Sequence, residues 1–386
     1  MKIIENNNLL IKAGYISHFI TDFYASFLIP MLPVILKNFN LSLLNLSIVI
    51  SCSYFLSSIL QPFWGYLADR QKKYYFLIFG SLITSICITA LFFTKSVYFT
   101  IFFILLANLG EGIYHPQATS FMTEVSKHLA NKNLGIFLSL GSLGFAIGPL
   151  LAGFLNDSMQ FQYLLLLILL AIFANVFIFF IIFPLGKTKN LKLEFMFFEE
   201  LKQIFVNEQL RKLVNIGFVR PLVLVSLCVF MPFKWSSMGY SNFKIGLFLG
   251  LFSLLGAFGV YTGGIVFSKY NKFFCFKLSI ILTTICGFLY LCFIEHRFAI
   301  IFFLLTSFCV NQISSVNLSL AHKLLPQNKS SISGLINGYN WGVVGITLWV
   351  TGFFITKFDY NIAIGFVLLI PLFFIFRIKT LFNEKI

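Results

Sequence analysis

Gly65-Tyr66-Leu67-Ala68-Asp69-Arg70-Gln71-Lys72-Lys73 and, 199 residues further on, Gly264-Ile265-Val266-Phe267-Ser268-Lys269-Tyr270-Asn271-Lys272 read in step. Each leaves an apolar run through a glycine and enters a basic cluster. The same shift lays Gly135 on Gly334 and Gly153 on Gly352. Matches at one offset across distant segments are hard to obtain by chance in so apolar a chain. The sequence therefore reads as two copies of one unit in tandem.

What surrounds these stretches decides the solvent. The chain has 386 residues, 59% of them hydrophobic and 11% charged, with 52 Phe, and its mean hydropathy is +0.91. A soluble domain has about 25% charged residues with which to face water, so most of this surface must face lipid. Apolar runs of about 20 residues, the length that crosses a ~30 Å hydrocarbon core, recur throughout. The ten-residue alternation of a transmembrane barrel does not, so the spans are helices. Breaks at polar clusters give twelve of them: 10–33, 44–67, 75–94, 97–121, 134–155 and 162–184, then 211–233, 242–267, 275–294, 297–320, 332–355 and 360–377. The predicted fold is an all-α polytopic membrane protein of two parallel six-helix repeats, a bundle over 1–184 and a bundle over 211–386. The linker 185–210 carries Lys187, Lys189, Lys192 and Lys202, and places Phe197, Phe198, Leu201, Ile204 and Phe205 at helical spacing. That pattern fits a short helix on the membrane surface or a loop under the bundle.

Charge sets the orientation. With the N-terminus inside, the inner segments hold 21 of the 28 Lys and Arg and the outer loops hold 6. Both termini and the linker are therefore expected on the cytoplasmic side. The same bias, together with anionic lipid, accounts for the net charge of +15, with no nucleic-acid partner needed. The seven cysteines are single residues within apolar runs, without CxxC spacing, which implies neither a disulfide framework nor a metal site. The N-terminal stretch has no small-residue cleavage site and reads as a retained first helix. Six spans repeated in one orientation is an architecture of transporters. Against an intramembrane enzyme, there is no HExxH, no GxSG serine motif and no protease-style acidic pair.

The loop Gly65-Tyr-Leu-Ala-Asp69-Arg70-Gln-Lys72-Lys73 resembles the signature loop of the major facilitator superfamily. In it Gly65 permits close helix contact, Asp69 accepts from a helix N-terminus or pairs with a base, and Arg70 holds the cytoplasmic side. In the second copy Ser268 stands in place of the acid. Gly144-Phe-Ala-Ile-Gly148-Pro149-Leu-Leu-Ala-Gly153 looks like the glycine-proline signature of the superfamily's antiporters, a thin, bent face associated with sealing the cavity. Ser17-His18-Phe-Ile-Thr-Asp22-Phe-Tyr24 and Gly112-Ile-Tyr114-His115-Pro116-Gln117-Ala118 resemble the fosmidomycin-resistance branch. That branch has a Glu and an Arg where this chain has Gln117 and Ser120. The resemblance implies proton-driven efflux of a small, anionic or amphiphilic molecule. A symporter or facilitative importer on the same fold is the alternative. It implies no cofactor beyond a proton gradient, and as partners a small-molecule substrate, protons and the bilayer, for a monomer in a bacterial inner membrane.

Asp22 and Glu111 are the acids deep within spans. An ionisable group there costs a few kcal/mol and is by default functional or paired. Each has a histidine one helical turn away, His18 with Asp22 and His115 with Glu111, on one face at i, i+4 spacing. These four are the expected proton-coupling residues; a polar knot fixing helix packing is the other reading. Arg220, beside Pro221, is the cation deep within a span. It is expected to bind an anionic group of the substrate or to act as counter-ion to Asp22, if it does not snorkel to the inner surface. Pro221 should kink the helix. Tyr24, Tyr114 and Gln117, with Asn311 and Asn340, are further candidates for contact with substrate.

Overall fold

The computed structural model describes residues 2–70, 73–126, 130–158, 162–184, 202, 206–314, 317, 320 and 329–383. The expected surface helix around Phe197 to Phe205 lies outside the described residues. In chain order the helices are α1 Lys2–Ala25, α2 Leu28–Asn38, α3 Leu43–Ile59, α4 Gln61–Arg70, α5 Tyr75–Leu91, α6 Val97–Ser126, α7 Ala130–Ser158 and α8 Gln162–Ile182. The second half continues with α9 Glu208–Gly217, α10 Val219–Ser237, α11 Asn242–Lys269, α12 Lys272–Cys292, α13 Ala299–Asn311, α14 Lys329–Lys357 and α15 Tyr360–Asn383. These helices fall on the twelve expected spans. Among the described residues, eight helical segments are long and apolar enough to cross a membrane, and three shorter apolar helices accompany them.

The tandem repeat is written into the helix ends. Shifted by 199, Leu43 and Arg70, the limits of α3 and α4, fall on the limits of α11, Asn242 and Lys269. The limits of α7, Ala130 and Ser158, fall on those of α14, Lys329 and Lys357.

Proline explains the interruptions. Pro30 and Pro62 each sit in the first turn of the helix after a break, where the missing N–H costs nothing. Near Pro221 the seventh span divides at Phe218 into α9 and α10, because the proline ring cannot tolerate the carbonyl four residues back in an unbroken helix. The interruption stands where the kink was expected.

The chain forms two compact units. The first comprises Met1–Leu41, Cys52–Phe195 and Gly239–Gly250; the second comprises Ser42–Ser51, Met196–Met238 and Leu251–Ile386. They follow the two halves of the sequence, apart from the reciprocal exchange of the first residues of α3 and α11. In the first unit α1 lies along α7, and α5 packs on α6 and α8. Its core includes Leu77, Tyr114, Ala118, Phe121, Met122 and Phe137, all essentially inaccessible. In the second, α10 packs on α14, and α12 on α13 and α15.

One residue that sequence reasoning did not single out anchors the first unit. Asp157, in the last turn of α7, accepts from the backbone N–H of Asn242 at 3.0 Å and of Phe243 at 2.7 Å, and from the Asn242 amide at 2.9 Å. An acid at a helix C-terminus opposes its own helix dipole. Here it instead caps the orphan donors at the N-terminus of α11. The signal was the acid's position, which no partner along α7 itself would favour.

Candidate functional site

The site begins with how closely α7 can approach α1. Gly141, Gly144 and Gly148 form one stripe along α7. A Cβ on Gly144 would lie 2.6 Å from the Phe19 carbonyl oxygen and 2.9 Å from Phe23 N, and one on Gly148 would meet Ser26 and the Phe23 carbonyl. A Cβ on Gly141 would run into the His18 ring and the Asp22 carboxylate. The glycines thus bring the α7 backbone against the face of α1 that carries the ionisable pair. Pro149 lies in the same stretch, and its carbonyl lies against Gly246 at the start of α11.

That approach places the Phe137 carbonyl oxygen 2.7 Å from His18 Nδ1, while the Phe137 ring stacks on the imidazole at 3.9 Å. A carbonyl only accepts, so Nδ1 carries the hydrogen. His18 Nε2 faces Asp22 Oδ2 at 3.3 Å. With neutral His18 and ionised Asp22, two acceptors would confront each other there. A single proton resolves this, carried either by the imidazole Nε2, which then donates to the carboxylate, or by the carboxyl group, which then donates to Nε2. Both residues are buried, and Asp22 Oδ1 has no hydrogen-bond donor among the described residues.

The α6 pair closes the cluster from the other side. His115 Nε2 lies 3.7 Å from Asp22 Oδ1 and 3.5 Å from Glu111 Oε1. The four residues expected to act together are thus brought together, in two i, i+4 pairs on two helices joined by the His115–Asp22 contact. The side chains of His115 and Glu111 keep 28% and 24% of their exposure, against 5% for His18. The cluster therefore has a dry end on α1 and an accessible end on α6.

The other expected contacts of the first unit are buried, and the Tyr114 ring stacks on that of His18 with centroids 6.0 Å apart. Gln117 is fully buried: its Oε1 accepts from Leu77 N at 2.9 Å and its Nε2 reaches the Lys73 carbonyl at 3.5 Å. It thereby satisfies backbone groups at the start of α5. Tyr114 is a core residue, and Tyr24 is buried against Phe27, rings stacked 5.6 Å apart. The sequence carried a warning: residues 114, 117, 118, 121 and 125 follow the i, i+3, i+4 rule and make one core stripe. Gly65 has Pro116 as its neighbour, at 3.5 Å from an added Cβ, an ordinary contact. Asp69 and Arg70 end α4, and their side chains lie outside the described residues.

The second unit holds Arg220 in a preorganised chain of hydrogen bonds. Its Nε donates to Asn311 Oδ1 at 2.7 Å. The Asn311 amide donates to the Ser307 carbonyl at 2.8 Å, and Ser307 Oγ donates to the Phe252 carbonyl at 2.8 Å. Among the described residues no carboxylate pairs with this guanidinium, so its charge is oriented but not neutralised. Asn340 is buried with both amide atoms unpartnered among the described residues.

Comparison with known proteins gives this geometry a family. The model of the Major Facilitator Superfamily matches residues 14–348. The multidrug resistance protein MdtG of Rahnella sp. (strain Y9602) is 31% identical over 152 residues, covering 38% of this chain and 36% of the relative. The quinolone resistance protein NorA of Staphylococcus aureus (strain MRSA252) is 26% identical over 146 residues, 37% of each chain. Both alignments thus span little more than a third of the relative. A bacterial homologue of the human lysosomal transporter Spinster, inward-facing and unoccupied, shares the fold with a TM-score of 0.80 at 14% identity, over 99% of this chain and 98% of that one. The nucleoside transporter NupG follows with a TM-score of 0.76 at 12% identity, over 97% of this chain and 100% of that one. This integral membrane chain belongs to the Major Facilitator Superfamily.

Proposed function

We propose that the chain exports a small amphiphilic or anionic molecule across a bacterial cytoplasmic membrane in exchange for protons, as a monomer with both termini inside. The observation that carries the reading is the 3.3 Å approach of His18 Nε2 to Asp22 Oδ2 while the Phe137 carbonyl engages His18 Nδ1, an arrangement suited to a shared proton. A proton fits it without any change in the surrounding packing. His115 and Glu111, more open and within 3.7 Å and 3.5 Å contacts of the chain of groups, are the entry and exit points for that proton. An ionised Asp22 with no proton or donor facing it is costly in this dry setting. Loading and unloading therefore changes the energy of the α1–α7 contact, which is how a proton gradient would drive a conformational cycle.

On this reading Arg220 and Asn311, with Asn340, meet the substrate, and the uncompensated guanidinium favours an anionic group. Gly144, Gly148 and Pro149 let α7 ride closely on α1 and seal the membrane against leak. Gly65, Asp69 and Arg70 act in the conformational cycle at the cytoplasmic side. The names of the relatives, a multidrug and a quinolone resistance protein, support efflux of a drug-like molecule. A growth screen against toxic compounds, with and without the chain, identifies a substrate. Inverted vesicles with an imposed pH gradient then test direction. Proton–substrate exchange supports the proposal; movement of both in one direction, or flux indifferent to the gradient, contradicts it.

A further inference from the structure

The same cluster has a second property, which rests on ligand geometry. A four-coordinate zinc ion bound at about 2.0–2.1 Å by nitrogen and oxygen has ligand atoms roughly 3.3–3.4 Å apart. Three contacts within the cluster are near this length: 3.3 Å (His18 Nε2 to Asp22 Oδ2), 3.5 Å (His115 Nε2 to Glu111 Oε1) and 3.7 Å (His115 Nε2 to Asp22 Oδ1), the two Asp22 contacts being made by different oxygens. The donor atoms of His18, Asp22 and His115 all lie within 4.8 Å of one another. Such a set needs to contract by less than a bond length to enclose an ion.

Two further features point the same way. Metal-binding histidines usually donate their other ring N–H to a carbonyl or carboxylate, which fixes tautomer and orientation. The His18 Nδ1 contact to the Phe137 carbonyl, at 2.7 Å, does this and leaves Nε2 free to ligate. In addition, Asp22 Oδ1 is a buried carboxylate oxygen without a hydrogen bond, aimed at His115. Two imidazoles with carboxylates suit zinc, nickel or copper and disfavour magnesium and calcium, which take oxygen shells.

We propose that His18, Asp22 and His115 form a binding site for a divalent transition-metal ion of the zinc class, with Glu111, in contact with His115, drawn in to complete the shell when the ion binds. The bound ion bridges α1 and α6. It uses residues that the transport reading also uses, but binding alone is at stake and is measured without transport.

The full chain, purified in detergent and stripped of metal with a chelator, is titrated calorimetrically with Zn²⁺ and separately with Mg²⁺, and its visible spectrum is recorded with Co²⁺. The expected result is one saturable Zn²⁺ site per chain, no Mg²⁺ response, and the intense Co²⁺ bands of four-coordination. His18→Gln and His115→Gln should each weaken Zn²⁺ at least about tenfold, while His296→Gln, at an exposed position outside the cluster, leaves it unchanged. The Co²⁺ spectrum of the unaltered chain decides the question even if a variant fails to fold. Absence of saturable Zn²⁺ binding, a weak six-coordinate Co²⁺ spectrum, or unchanged affinity in both cluster variants overturns the proposal. Export assayed in chelator separates the two readings: its loss there with Zn²⁺ binding intact defeats metal-free proton coupling and leaves the site standing.

Discussion

Gly141→Ala probes the contact on which the site is built. The new methyl carbon would come to 2.5 Å from Asp22 Oδ2 and 2.7 Å from His18 Nδ1. Ordinary contacts lie at about 3.5–4.0 Å, so these groups must retreat by roughly 1 Å. They have little room, because the His18 ring is held between the Phe137 ring at 3.9 Å and the Phe137 carbonyl at 2.7 Å. Overpacking of this kind costs about 1–3 kcal/mol, and weakening the hydrogen bond adds up to about 1 kcal/mol. Gly135→Ala on the same helix is the matched control. An added Cβ there meets nothing within 4 Å, and a helical Gly→Ala change stabilises by about 0.5–1 kcal/mol. Denaturation of both variants in the same detergent should therefore rank Gly135→Ala at or above the parent and Gly141→Ala clearly below it. If Gly141→Ala were as stable as Gly135→Ala, α7 would not lie on His18 and Asp22 as described, and nothing would hold His18 in the tautomer assigned to it.

Gln117→Leu should destabilise the chain by about 1–3 kcal/mol, since it strands the buried Leu77 N–H, yet leave substrate affinity unchanged; an altered affinity with normal stability would return Gln117 to the binding site. Asp157→Ala removes the cap of α11 and should cost about 1–2 kcal/mol, measurable by chemical denaturation; no loss would mean the cap is dispensable. Arg220→Gln should weaken anionic substrates by at least about tenfold while sparing neutral ones, read by competition binding. Equal loss for both classes would make Arg220 a packing residue.

Much of this was legible in the sequence, for identifiable reasons. The 199-residue shift survives into the helix limits because turns and basic loops are set by local chemistry that both copies retain. The His18–Asp22 and Glu111–His115 pairs are visible because i, i+4 spacing is a property of one helix. What joins the pairs is not local. The 3.7 Å contact of His115 with Asp22 and the Phe137 carbonyl facing His18 depend on how α1, α6 and α7 pack, and a carbonyl leaves no mark on the residue type. The glycine run announced a close approach without naming its partner. Gln117 and Tyr114 share with Ala118 and Phe121 a stripe that suits the core, and the structure buries all four. Glutamine was ambiguous because its buried amide found its partners in the backbone of another helix.

If the proton lodged at Asp22 couples the gradient to export, Asp22→Asn is the sharpest probe of that coupling. An amide N–H can donate permanently to His18 Nε2, keeping the packing while removing the ability to load and unload. In reconstituted vesicles Asp22→Asn should retain substrate counterflow and lose all uphill export driven by a pH gradient. A variant that still builds the full gradient of substrate would show that the coupled proton is carried elsewhere.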